Sequence, residues 1–168
     1  MNIRDNKGVN LISLTVTIIM LLAITGAMIY NTKNQVSMKK INSLKNDIET
    51  LKYKVDEYYL KYGELPTLCY FSNKSELIDI IDNNAREREA SLNSKISGND
   101  GDEYVVIDLE KLSGLTLNYG YKKDGDYFSV KQNNTVTSED EIYIINTTTH
   151  QIYYPHGIVA DNLLYFTF

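Results

Sequence analysis

The chain has 168 residues, 43% hydrophobic and 23% charged. That near-average composition excludes wholesale disorder, and the length suits one compact domain. Charge is unevenly divided: residues 31–62 carry seven Lys against four acids, whereas residues 63–168 carry eight Lys and Arg against seventeen acids. Nucleic-acid binders present a basic patch, so no nucleic-acid partner is expected from the charge of the C-terminal two thirds. A single cysteine, Cys69, excludes an internal disulfide.

Residues 8–32 carry no charge, and residues 9–30 read VNLISLTVTIIMLLAITGAMIY. About 20 apolar helical residues cross a hydrocarbon core of about 30 Å, so this run predicts a single-pass transmembrane helix in the cell membrane. Its Ser and Thr can return hydrogen bonds to the helix's own carbonyls and cost little there. A buried core helix would be shorter in so small a chain. A cleaved secretory signal would have a shorter apolar region ending in a small-residue site, which the run lacks. Counting positive charge alone would leave the C-terminal region in the cytoplasm, because Lys33, Lys39, Lys40 and Lys45 follow the span.

Nothing breaks the helix after residue 30, since no Pro occurs before Pro66 and Gly26 is the only Gly in residues 9–62. Ile41, Leu44, Ile48, Leu51, Val55, Tyr58 and Tyr62 follow a 3-4-3-4 spacing that places them on one helix face. Lys45, Asn46, Asp47, Glu49, Lys52, Lys54, Asp56 and Glu57 are expected on the solvated face. The stripe Ile41, Leu44, Ile48, Leu51, Val55 and Tyr58 is expected to pack on the chain's own globular region. A coiled-coil seam is the alternative, and three heptads is the least that would support one. Gly63 and Pro66 supply the stop. The expected division is therefore residues 9–30 in the membrane, 31–62 as an amphipathic extension, and 63–168 as a globular α+β domain.

Within that domain, Asn73-Lys74-Ser75-Glu76 has the capping-box pattern and predicts a short helix starting near Ser75. Residues 84–103 are mostly polar and read as a frayed helix end and a loop. Strand-like runs follow at residues 104–107, 127–130 and 142–145. Residues 146–150 separate the last of these from residues 151–154, a predicted hairpin. Pro155-His156-Gly157 turns the chain, and residues 163–168 are expected to end it as a strand.

The segment Lys7-Gly8-Val9-Asn10-Leu11-Ile12-Ser13-Leu14 resembles the prepilin-type cleavage site of type IV pilins and pseudopilins. The order of membrane helix, amphipathic extension and C-terminal antiparallel sheet is similar to that family too. Residues 141–157, EIYIINTTTHQIYYPHG, look like the terminal hairpin of pilin-like proteins from Gram-positive bacteria. The resemblance implies a leader of residues 1–8, cut by prepilin peptidase between Gly8 and Val9, with methylation of the new amine. It implies an extracellular C-terminal domain, in opposition to the charge count; Lys side chains just past the span can meet lipid headgroups on either face. It further implies assembly with other pilin-like subunits through the N-terminal helix, in a type IV pilus or type II secretion-like filament. The chain departs from the family at two positions. Val9 stands where Phe is usual, and Ser13 stands where the family has a Glu thought to pair with a neighbour's amine. Ser13 cannot form that pair, which favours a minor or tip-like subunit. A membrane-anchored surface binding module that does not polymerise is the alternative.

Catalytic chemistry is not expected. His150 and His156 lie six residues apart without companion ligands at metal-site spacing, and Cys69 is more than 80 residues from either. Asp100, Asp102 and Glu103 lack the pattern of a calcium loop and read as solvated. No cofactor, phosphate-loop or nucleophile-elbow motif occurs. Fourteen Tyr without a Trp could suggest carbohydrate stacking, but most fall in predicted strands or on the helix face, where the ring packs. Asn73, Asn133 and Asn146 match glycosylation sequons, as chance allows in an Asn- and Thr-rich chain.

Overall fold

The computed structural model describes residues 5–82, 89–127, 136–137, 140–160 and 163–168. The chain is α+β with antiparallel strands. It divides into two compact units, residues 1–39 and 40–168, and the 58-residue helix α1 (Asp5–Tyr62) contributes to both.

In the first unit, the large apolar side chains from Leu14 to Met28, among them Ile19, Met20, Leu21 and Leu22, are exposed. Thr17 and Thr25 donate their hydroxyls to the carbonyls of Ser13 and Leu21, four residues back, both at 2.7 Å. Their polarity is thereby absorbed within the helix. Among the described residues no helix is long and apolar enough to cross a membrane. The expected span of residues 9–30 is only partly described, since the side chains of residues 9–12, 29 and 30 lie outside the described residues.

The second unit opens with residues 40–62 of α1. The helix stops at Gly63, whose φ of +74° lets its N–H reach back to the Tyr59 carbonyl at 2.8 Å. A residue with a Cβ is strained in that left-handed conformation, which is why Gly ends the helix. Strand β1 (Thr67–Ser72) follows, then α2 (Lys74–Asp82), α3 (Glu89–Lys95) and β2 (Tyr104–Ile107). A 3-10 turn (Leu109–Lys111) leads to a small hairpin, β3 (Lys122–Lys123) with β4 (Asp126–Tyr127). The chain closes with β5 (Ile144–Asn146), β6 (Ile152–Tyr153), β7 (Ile158–Ala160) and β8 (Leu163–Tyr165). The main sheet has the order β1-β2-β5-β6, antiparallel throughout; β7 and β8 form a separate ribbon.

Every residue of β2 is buried, because both faces of the sheet are covered. Successive strand residues point to opposite faces. Tyr104 and Val106 join Leu77, Ile81, Leu92, Ile96 and Tyr153 in one core. Val105 and Ile107 join Leu44, Ile48, Leu51, Val55, Tyr143 and Ile145 in the other. A strand buried on both sides reads as a continuous apolar run, as Tyr104-Val105-Val106-Ile107 does.

Several sequence expectations need correction. Residues 84–103 are not simply a loop: α3 lies within them and buries Leu92, with Ile96 buried just beyond its end. The expected strand over residues 142–145 starts later, at Ile144, although the Tyr143 carbonyl still accepts the Ile107 N–H at 2.8 Å. Of the run expected at residues 127–130, Tyr127 belongs to β4, and the remaining residues lie outside the described ones. The final strand ends at Tyr165. Beyond it the Phe166 carbonyl accepts the Tyr154 N–H, so the tail borders β6 rather than extending β8.

Candidate functional site

Gly8, Val9 and Ser13 all fall within α1. The side chain of Val9 is not described, and Ser13 is exposed. Of the expected packing stripe, Ile41, Leu44, Ile48, Leu51 and Val55 are buried and Tyr58 is half-buried. Leu44, Ile48, Leu51, Val55 and Tyr58 belong to the same apolar cluster as Val105, Ile107, Tyr143, Ile145 and Tyr154.

The expectation that Asp47 lies on a solvated face is overturned: it is 1% exposed. Its carboxylate collects the Asn118 N–H at 2.9 Å, the Tyr119 N–H at 2.8 Å, the Asn118 side-chain amide at 2.9 Å and the Tyr143 hydroxyl at 3.3 Å. Two successive backbone N–H groups and two side-chain donors therefore meet one anion. This is what an ionised carboxylate requires away from water, where an unpaired charge is costly. Burial, and then the Asp47 charge, push the Tyr143 hydroxyl well above its ordinary pKa, so it stays a donor. Tyr119 is raised for the same two reasons. The partners lie more than 70 residues from Asp47, so helical periodicity alone gave no sign of them.

A second polar hub fixes the loop before β2. Gly98 has φ +102°, and a Cβ there would run into Asn146 Nδ2 and Asp102 Oδ2. Asp102 accepts the Asn99 N–H at 3.0 Å and the Asn146 amide at 3.2 Å, and these bonds hold its carboxyl below the usual carboxylate range. Tyr104 and Tyr153 both donate to the Ser97 carbonyl, at 2.7 and 3.4 Å. Burial pushes Tyr153 up to about 12.

These bonds settle several candidate residues. Asp102 of the acidic trio is engaged by protein donors, and among the described residues no group of His, Cys, Asp and Glu is placed to hold a metal ion. His150 lies 3.9 Å from Asp56 and edge-on to Tyr59, whereas His156 packs edge-on to Tyr154. Cys69 is in β1, and its side chain lies outside the described residues. Two sequon asparagines have structural roles. The Asn73 side chain accepts the Glu76 N–H at 2.9 Å and caps α2, while Asn146 is buried and accepts the Thr148 and Thr149 N–H groups. Asn133 lies outside the described residues. Of the tyrosines, Tyr104, Tyr143, Tyr153 and Tyr154 are fully buried, so their rings are core rather than a stacking platform.

No family model matches this chain, and neither a curated protein nor a solved structure does.

Proposed function

We propose that the protein is a pilin-like subunit, a minor pilin or pseudopilin, cut by prepilin peptidase between Gly8 and Val9 and held in the cell membrane by residues 9–30. In this reading one long helix anchors the subunit, and its residues 31–62 pack on an extracellular α+β domain that ends in an antiparallel sheet. The subunit is structural rather than enzymatic, and its partners are the lipid bilayer, prepilin peptidase and neighbouring pilin-like subunits of a type IV pilus or type II secretion-like filament. The observation that carries the reading is Gly8 between a short charged leader and an apolar segment free of charge to residue 32. An ordinary membrane anchor needs no cut there, whereas a glycine, lacking a Cβ, lets a protease approach the backbone closely. The exposed apolar side chains of residues 14–28 agree with it, since they need lipid or neighbouring helices as cover.

Mass spectrometry of the chain recovered from cells with active prepilin peptidase tests the cut. A mature terminus at Val9 is expected, with Gly8→Glu left as the uncut precursor; a terminus upstream of Gly8 overturns the assignment. One observation favours a second reading, an anchored surface module that does not polymerise. Ser13 carries no charge with which to pair a neighbour's amine across the lipid, where an isolated charge is expensive.

A further inference from the structure

A groove of about 790 Å³ opens beside the 3-10 turn, the loop after it and the β3–β4 hairpin. Leu112, Leu115 and Tyr127 give it an apolar wall and Glu110, Asp124 and Asp126 line it with three carboxylates, while the Lys122 ammonium stands over the Tyr127 ring at 4.5 Å. Asp124 and Gly125, with φ of +53° and +93°, form the two-residue tip between β3 and β4, so the hairpin fixes where two of the carboxylates stand.

The complementary surface lies elsewhere in the same chain. No acid occurs between Asp5 and Asp47, a stretch that contains Lys33, Lys39, Lys40 and Lys45. Val36, Lys39, Lys40 and Ser43 have the i, i+3, i+4, i+7 spacing of a single helix face. Val36, Lys39 and Lys40 are exposed. We propose that the groove receives this face of α1 from a second copy of the chain, with Val36 against the apolar wall and the two ammonium groups among the three carboxylates. The inference rests on the filament reading and names one contact within it. Within residues 40–168 the groove lies far along α1 from Lys40. Leu112 and Ser113 also line a cleft with Lys54, Glu57, Tyr58 and Lys61, which places the groove beside the end of α1. Seventeen residues separate Lys40 from Glu57, about 25 Å along the axis at ~1.5 Å per residue. A copy displaced by that distance brings its basic face to the groove and leaves its own groove open to the next. Such a heterologous contact repeats without closing.

The test uses the full chain in its native membrane, as a mixture of isotopically heavy and light copies. Ser113→p-benzoylphenylalanine places a photo-cross-linker in the groove, and Leu22→p-benzoylphenylalanine reports helix self-association separately. The expected product of the first is a heavy–light cross-link to a peptide containing Val36, Lys39 and Lys40. Asp124→Lys with Asp126→Lys should lower its yield by about tenfold or more, and Lys39→Glu with Lys40→Glu in the same chain should restore it, as complementary charge requires. Cross-links at Leu22 without that peptide at Ser113 overturn the groove contact and leave the filament reading standing. Cross-links at neither position overturn both. Capture at Ser113 of lipid, or of any other segment or protein, overturns the proposed occupant.

Discussion

Replacing Asp47 with Ala should destabilise the domain more than an ordinary helix substitution does, and the structure sets the size of the effect. The carboxylate serves four donor groups. Asn118 is exposed, so its side-chain amide can turn to water and contributes little. The Tyr143 hydroxyl, long at 3.3 Å, has the Tyr119 carbonyl at 3.4 Å as a second acceptor. The backbone N–H groups of Asn118 and Tyr119 remain, and a hydrogen bond to a charged partner contributes ~1.5–3 kcal/mol. Two of them predict a loss of about 3–6 kcal/mol, a large share of the ~5–15 kcal/mol that holds a domain together. With a urea slope of ~2 kcal/mol/M the midpoint should fall by about 2 M. Asp47→Asn keeps the shape but offers one accepting oxygen, and should lie between the two. The assay is urea unfolding of the full chain in detergent, followed by tyrosine fluorescence, with hydrogen exchange read at the Asn118 and Tyr119 amides. If Asp47→Ala unfolds within about 1 kcal/mol of the parent and those amides keep their protection, the carboxylate does not hold the loop and the reasoning fails.

Leu51, fully buried in the cluster with Val105 and Tyr143, should cost ~2–5 kcal/mol on truncation to Ala. Its lowered melting temperature should be the same at every protein concentration; a midpoint that climbs with concentration would mark the stripe as a seam between two helices. Tyr154 is the opposite case, since its hydroxyl is buried with no hydrogen-bond partner among the described residues. An unsatisfied buried hydroxyl costs ~1–3 kcal/mol, so Tyr154→Phe should melt at the same temperature or higher, and a clear drop would reveal a partner. Alkaline unfolding should follow from the buried tyrosines. Burial raises Tyr104, Tyr119, Tyr143, Tyr153 and Tyr154 above 10.0, the last three strongly, and Tyr153 reaches about 12. The folded state then holds protons that the unfolded state releases, so their contribution is complete below pH 10 and is lost as pH climbs towards 12 and beyond. Absorbance of phenolate and circular dichroism should therefore change together above about pH 10; late tyrosines that ionise with the fold intact would contradict this.

What could be read from the sequence was what depends on near neighbours. The 3-4 spacing from Ile41 to Tyr58 named the face that is buried, and Asn73 three residues before Glu76 named the cap of α2. The paired runs around residues 146–150 named the β5–β6 hairpin, because a turn is local. A tight turn was legible too, though unread, in the Asp124-Gly125 pair that closes β3 on β4. Helix α3 was hidden because only Leu92 and Ile96 mark its buried side in a polar stretch, too few positions to establish a period. Asp47 was hidden for a deeper reason. Polarity by itself assigns a carboxylate to water, and only the arrival of Asn118 and Tyr119 from 71 and 72 residues away reverses that assignment.

The same contrast bears on the candidate site. The α1 stripe was expected to give the C-terminal region an apolar floor; in the structure the residues of β2 alternate between a cluster that holds Leu44, Leu51 and Val55 and one that holds Leu77, Ile81 and Leu92. All four residues of β2 are thereby taken up inside the chain. The surfaces still available for recognition are the exposed apolar stretch of α1, its basic face at Val36, Lys39 and Lys40, and the acidic groove at Glu110, Asp124 and Asp126. The buried polar groups converge on one another, Asp47 on the 118–119 backbone and Asp102 on Asn99 and Asn146, so both carboxylates are engaged within the domain, and a partner meets it at its outer surface.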